Sequence, residues 1–125
     1  MKFLNLDRVL CLSAHPDDTE YGLLGSMMKF DETIFDVLVL SNGGDFDNTT
    51  GESRQKECMG IWDRVQFNVS GRFFPKSYVK DTSEDEWVNL IEQEYDISDY
   101  DCILSLPVQD SHFEHRMVNH IAYAL

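Results

Sequence analysis

An α/β domain built on a parallel sheet is the fold this sequence predicts. Short apolar runs around Val9–Leu12, Ile34–Leu40 and Cys102–Leu106 alternate with segments of helical periodicity. These runs are apolar almost throughout, as strands covered on both faces are. Two of them lead into clusters of histidine and carboxylate, and in open α/β sheets ligands bind at the carboxyl ends of strands.

Residues 8–13 form the first strand, a short apolar run closed by Pro16-Asp17. A helix follows over 19–30, where Tyr21, Leu24, Met27 and Met28 recur at helical spacing and Asp18 or Thr19 supplies a cap. Residues 34–40 are a second buried strand. Residues 41–51, rich in Gly, Asn, Asp and Thr, form a loop. Residues 52–62 suit a helix with Thr49 or Thr50 near its start. Residues 65–69 alternate apolar and polar, as a partly exposed strand does. Residues 71–82 are irregular and hold Phe73, Phe74 and Tyr78, candidates for cleft or core. Ser83-Glu84-Asp85-Glu86 has the form of a capping box, and the helix it opens runs to about Tyr95 with Trp87, Leu90, Ile91 and Tyr95 on its buried face. Residues 101–106 are another strand, and 113–125 begin a last helix. No repeat, low-complexity run or linker interrupts the pattern. No glycine or proline stops the last helix, which predicts a C-terminally shortened form of a larger domain.

The 125 residues suffice for one domain, 1–125. Twenty-three acidic against ten basic residues leave a net charge of -13, which excludes the electrostatic footprint of a nucleic-acid binder and disfavours anionic membranes. The acidity serves solubility. Cys11, Cys58 and Cys102 have no CxxC spacing and read as reduced thiols of a cytoplasmic protein. Neither a signal peptide nor a membrane-length apolar stretch is present in the sequence, so no membrane insertion is expected.

The chemistry lies in two clusters, Ala14-His15-Pro16-Asp17-Asp18 and Asp110-Ser111-His112-Phe113-Glu114-His115. His15 and Asp18, three apart across a turn, can face one ion, and His115 can join them from the neighbouring strand end. Catalytic zinc takes three such ligands and keeps one position open. Asp17 is adjacent as a base for a water proton, and His112 can approach from the opposite side of a substrate to stabilise an oxyanion or donate to a leaving amine. Each cluster alone has a plainer reading, the first as a capped turn and the second as a solvated helix start. Their pairing at two strand ends favours a site. His120, five past His115, falls off that helical face and reads as surface.

Together, the AHPDD stretch and the later Asp110-x-His112-x-x-His115 resemble the LmbE-like GlcNAc-phosphatidylinositol de-N-acetylases, the PIG-L family. The resemblance runs from about Arg8 to Leu125. It implies a Rossmann-like parallel sheet with flanking helices and a divalent metal, usually Zn2+, with Fe2+ and similar ions also suited to such ligands. The implied activity is removal of the N-acetyl group from N-acetylglucosaminyl conjugates. His15, Asp18 and His115 would be the ligands, Asp17 the general base, His112 the oxyanion-stabilising or proton-donating group, and Asp110 the residue orienting His112. An Arg-x-x-Glu corresponds to Arg54 and Glu57, with Arg54 gripping substrate hydroxyls or phosphate. Without the family, that pair reads as an exposed ion pair on a helix.

The chain departs from the family in reading His112-Phe113-Glu114-His115 where His-Pro-Asp-His is usual. The ligand positions survive and the local geometry changes. Family members also usually continue well beyond the last helix. The expected partner is a soluble amino-sugar conjugate, and a second copy of the chain is a candidate to cover apolar surface that a shortened sheet exposes. Hydrolysis of another amide, and a shortened interaction module that keeps the metal site, are the competing readings.

Overall fold

The computed structural model describes residues 1–65 and 68–125. Four strands, β1 (Arg8–Ser13), β2 (Ile34–Val39), β3 (Val69–Phe73) and β4 (Cys102–Leu104), form one parallel sheet in the order β3-β2-β1-β4. Four helices connect and cover them: α1 (Asp18–Lys29), α2 (Gly51–Arg64), α3 (Glu84–Glu94) and α4 (Phe113–Ala124). The chain steps outward from β1 to β3, then crosses back to place β4 on the other side of β1. Strand order therefore reverses between β1 and β4, which opens a crevice at their carboxyl ends.

Alternate residues of a strand point to opposite faces, and here both faces are apolar. Leu10, Leu12, Leu38 and Leu40 pack against Trp87 and Ile91 of α3 and Val118 and Ile121 of α4. Val9, Cys11, Val37 and Val39 pack against Met27 of α1 and Cys58 and Trp62 of α2. The expected buried face of α3 is present, with Trp87 and Ile91 fully buried and Leu90 and Tyr95 packed beside them. Trp87 Nε1 donates to the Val79 carbonyl at 2.9 Å, so the indole is buried without an orphan donor. All three cysteines are free, and burial pushes the Cys11 and Cys58 thiols up. Among the described residues no helix is long and apolar enough to cross a membrane.

The caps follow the sequence in part. Thr50 and Ser53 form a reciprocal box at the start of α2, and Ser83 Oγ accepts the Glu86 N–H at 3.2 Å. At α1 the expectation fails. Asp17 takes the cap position in a left-handed conformation without a side-chain cap bond, and Asp18 is already helical. The expected stripe of α1 is also corrected: Tyr21 is 97% exposed and Met28 is 59% exposed. The inward positions are Glu20, Leu23, Leu24 and Met27, a tighter three-to-four-residue period, and Glu20 is held there by Trp62 Nε1 and the Cys58 thiol.

The strand expected at 65–69 lies elsewhere. Val65 closes α2 through its N–H to the Ile61 and Trp62 carbonyls, Gln66 and Phe67 lie outside the described residues, and β3 runs from Val69 into the stretch expected to be irregular. Gly71 inside β3 obscured it. A Cβ there would overlap the Trp62 ring, which stacks on Phe73 at 5.1 Å, so the glycine permits a close approach rather than a turn. β4 is shorter than expected because the Leu106 carbonyl accepts from Asn119 of α4 at 2.8 Å instead of continuing the ladder to β1.

Asp101 pins the start of β4 to β1. Its Oδ2 accepts the N–H groups of Arg8 at 3.0 Å and Asp7 at 2.8 Å, and these bonds hold its carboxyl below the usual aspartate value. A depressed folded value means stability that is present above the unfolded value and lost as pH falls through the folded one. Asp101→Ala is therefore expected to lower the urea midpoint at pH 7. The two proteins should converge once the pH is taken well below the ordinary aspartate value of about 3.9; a difference that persists there would contradict the assignment.

Candidate metal centre

β1 delivers His15 to the crevice through Ser13 and Ala14, and the Ser13 hydroxyl pairs with that of Thr19 to close the turn. The His15 N–H donates to Asp18 Oδ2 at 2.8 Å, which bends the Asp18 side chain back over the turn. The same oxygen lies 3.7 Å from His15 Nδ1 and 3.4 Å from His115 Nε2. The three expected ligands thus converge, with donor atoms all within 4.8 Å of one another.

Both imidazoles are held from behind. His15 Nε2 meets Glu114 Oε1 at 2.7 Å, and His115 Nδ1 meets Asp110 Oδ2 at 2.9 Å. A ligating histidine usually donates its second N–H to a carboxylate in this way, which sets the tautomer and leaves the other nitrogen for the ion. Two such imidazole nitrogens and one carboxylate oxygen suit zinc. The residues present fit the ion that the sequence implies.

His112 caps α4, its Nδ1 accepting the Glu114 N–H at 3.1 Å. In the neutral ring the proton then sits on Nε2. Burial, followed by the neighbouring His15 and His115, lowers the His112 pKa, which favours that neutral form. The ring stacks on His115 at 4.7 Å and stands edge-on to His15 at 5.0 Å.

Asp110 was expected to orient His112, and it does so only at the main chain. Its Oδ1 accepts the His112 N–H at 2.8 Å, while its ring partner is His115, because His112 Nδ1 is already engaged as a cap. The His112 N–H, then the His115 ring, hold the Asp110 carboxyl below the usual range. Asp17 stands beside the three-ligand cluster rather than in it. It adopts φ 77°, and its carboxylate groups with Glu20 and Cys58. Its Oδ1 is buried without a hydrogen-bond partner among the described residues.

Arg54 reaches the loop after β2, donating to the carbonyls of Asn42 at 2.7 Å and Gly44 at 3.1 Å. It lines an open cleft of about 390 Å3 with His15, Gly43, Tyr78, His112 and Glu114. Glu57 is exposed on α2, outside the residues lining that cleft, and forms no ion pair with Arg54 among the described residues. His120 is on the surface as expected, beside Glu84.

Glu114 is the residue that sequence reasoning left without a role. It is 5% exposed. Burial works to raise its carboxyl, but the bonds from His15 and the Lys80 N–H outweigh this and hold it below the usual value. A signal was available: Glu114 heads the helical stripe continued by Met117, Val118 and Ile121, all buried.

Fold and site together define a Rossmann-like α/β domain with a His-Asp-His cluster suited to a divalent metal at its topological switch point. Residues 10–125 match the PIG-L family, described as GlcNAc-PI de-N-acetylase, and the chain belongs to that family. A comparison with curated proteins finds no match. Among solved structures, it is similar to the conserved protein TT1542 from Thermus thermophilus, with TM-score 0.66 and 23% identity over 95% of this chain and 54% of that one. It is also similar to an N,N'-diacetylchitobiose deacetylase from Pyrococcus horikoshii complexed with its inhibitor MPG, with TM-score 0.65 and 19% identity over 98% of this chain and 50% of that one. The chain thus spans about half the length of each.

The loop that carries Arg54's acceptors depends on Gly43, whose φ is 80° and whose missing Cβ would overlap the Arg54 guanidinium. Gly43→Ala is expected to cost on the order of 1–2 kcal/mol for the left-handed backbone alone, read as a lower urea midpoint. Unchanged stability would contradict the described loop.

Proposed function

We propose that this chain is a zinc-dependent hydrolase that removes the N-acetyl group from an N-acetylglucosaminyl-type conjugate. The observation that carries the reading is the convergence of His15, Asp18 and His115, each imidazole backed by a carboxylate, beside a third imidazole, that of His112, in an open cleft. Family membership supports the acyl-amide chemistry, and the Pyrococcus horikoshii structure carries the name of a deacetylase of an N-acetylated sugar. Three free thiols support a reducing, cytoplasmic setting.

Zinc held by His15, Asp18 and His115 would supply Lewis acidity, lowering the pKa of water and polarising the acetyl carbonyl. Asp17, which precedes Asp18 in the turn after β1 and whose Oδ1 has no hydrogen-bond partner among the described residues, takes the proton of the attacking water. His112 presents Nε2–H, because its Nδ1 is occupied by the Glu114 N–H, and donates to the oxygen on which charge develops. A C–O bond forms as the C–N bond breaks. The proton collected by Asp17 leaves with the amine, giving acetate and a free amino sugar. Arg54 holds hydroxyls or a phosphate of the substrate from the loop wall.

Asp17→Asn is expected to keep zinc and to lose acetate release by about 10²–10⁴-fold, the usual worth of a positioned base. Measurement pairs zinc content with acetate release from N-acetylglucosaminyl substrates. Turnover retained in the variant would remove Asp17 as the base, and a zinc-loaded wild-type chain that releases no acetate would overturn the deacetylase reading.

A further inference from the structure

We infer that Glu114 is a positioning residue that locks the His15 imidazole in the tautomer offering Nδ1 to a metal and ties that imidazole to the cleft wall. The inference rests on the metal-hydrolase reading above and gives the carboxylate behind His15 a part of its own, joining the ring to the Lys80 main chain.

A carboxylate has only acceptors. Glu114 Oε1, 2.7 Å from His15 Nε2, therefore requires the hydrogen to be on Nε2. The lone pair is then left on Nδ1, the nitrogen that faces Asp18 Oδ2. The second oxygen, Oε2, accepts the Lys80 N–H at 2.8 Å. Lys80 lies in a short 3-10 turn, Val79–Asp81, which is anchored by the fully buried Val79 and by the Val79 carbonyl's bond to Trp87. Tyr78 and Lys80, on either side of that anchor, line the cleft. One buried carboxylate thus joins the carboxyl end of β1, the first turn of α4 and the wall that faces a substrate.

Neither conservative replacement does both jobs. Glutamine offers one oxygen and one NH2, so either His15 or Lys80 would meet a donor instead of an acceptor. If the NH2 faces His15, the ring must carry its hydrogen on Nδ1 and withdraw the lone pair from the metal. Aspartate keeps two acceptors but is one methylene shorter, so it cannot span both partners in the present backbone.

The test compares wild type, Glu114→Gln and Glu114→Asp. Zinc affinity is measured by chelator competition, folding by circular dichroism, and the tautomer of His15 in the metal-free protein by nitrogen-15 NMR at alkaline pH, where the ring is neutral. Wild type is expected to show the Nε2–H tautomer. Glu114→Gln should stay folded, lose that preference and bind zinc about 10–100-fold more weakly, the usual effect of removing a carboxylate behind a ligating histidine. Glu114→Asp should fall between. A folded Glu114→Gln that keeps both zinc affinity and tautomer overturns the inference. If the glutamine variant does not fold, an Nδ1–H tautomer in wild type, or wild-type zinc affinity in Glu114→Asp, overturns it instead. A wild-type chain that shows the Nε2–H tautomer but takes up no zinc upholds the hold on the ring and brings down the metal-hydrolase reading.

Discussion

One carboxylate oxygen, Asp18 Oδ2, carries the arrangement on which the site depends. It accepts the His15 N–H and stands between the imidazoles of His15 and His115, which reach it from opposite sides of the crevice. The contact is possible only because strand order reverses between β1 and β4, so that α1 and α4 diverge from neighbouring strand ends on opposite faces of the sheet. Core packing therefore sets the geometry of the site. The apolar faces of β1 fix where His15 emerges, and the buried stripe of α4 fixes where His115 stands.

A cluster of this kind is costly to assemble. Imidazoles packed against one another lose solvent, and acids gathered near them repel. The structure offsets this by pairing the carboxylates that stand behind the imidazoles with two partners each. Asp110 bridges the His112 main chain and the His115 ring, while Glu114 bridges the His15 ring and the Lys80 main chain. Behind α1, Glu20 receives the Trp62 indole and the Cys58 thiol and so braces the turn that carries Asp17 and Asp18. Among the described residues the buried side-chain atoms left without a hydrogen-bond partner are Asp17 Oδ1, Arg54 Nε and Asn68 Oδ1, the first in the turn after β1 and the second on the cleft wall.

Much of this was legible in the sequence, for reasons that differ by element. β1 and β2 announce themselves because strands covered on both faces are continuous apolar runs. The caps at Thr50 and Ser83 do so because a hydroxyl ahead of a helix has a local use. The convergence of His15, Asp18 and His115 was legible because two short clusters of histidine and aspartate follow two neighbouring strand ends. What was hidden depends on distant contacts. Gly71 lies in β3 because the Trp62 ring lies over it, a fact no window around residue 71 contains. Tyr21 and Met28 keep the period of a buried face yet point to solvent, because Glu20, fixed by α2, sets the rotation of α1. Glu114 looked like a substitution within a motif, and its partners His15 and Lys80 lie 99 and 34 residues away.

The most direct test of the account is zinc stoichiometry of the purified chain with X-ray absorption at the zinc edge, beside Asp18→Ala. The account predicts about one zinc per folded chain, bound through two imidazole nitrogens and a carboxylate oxygen, with the ion lost in the variant. A folded chain that takes up no zinc, or one that keeps the same coordination without Asp18, would contradict it.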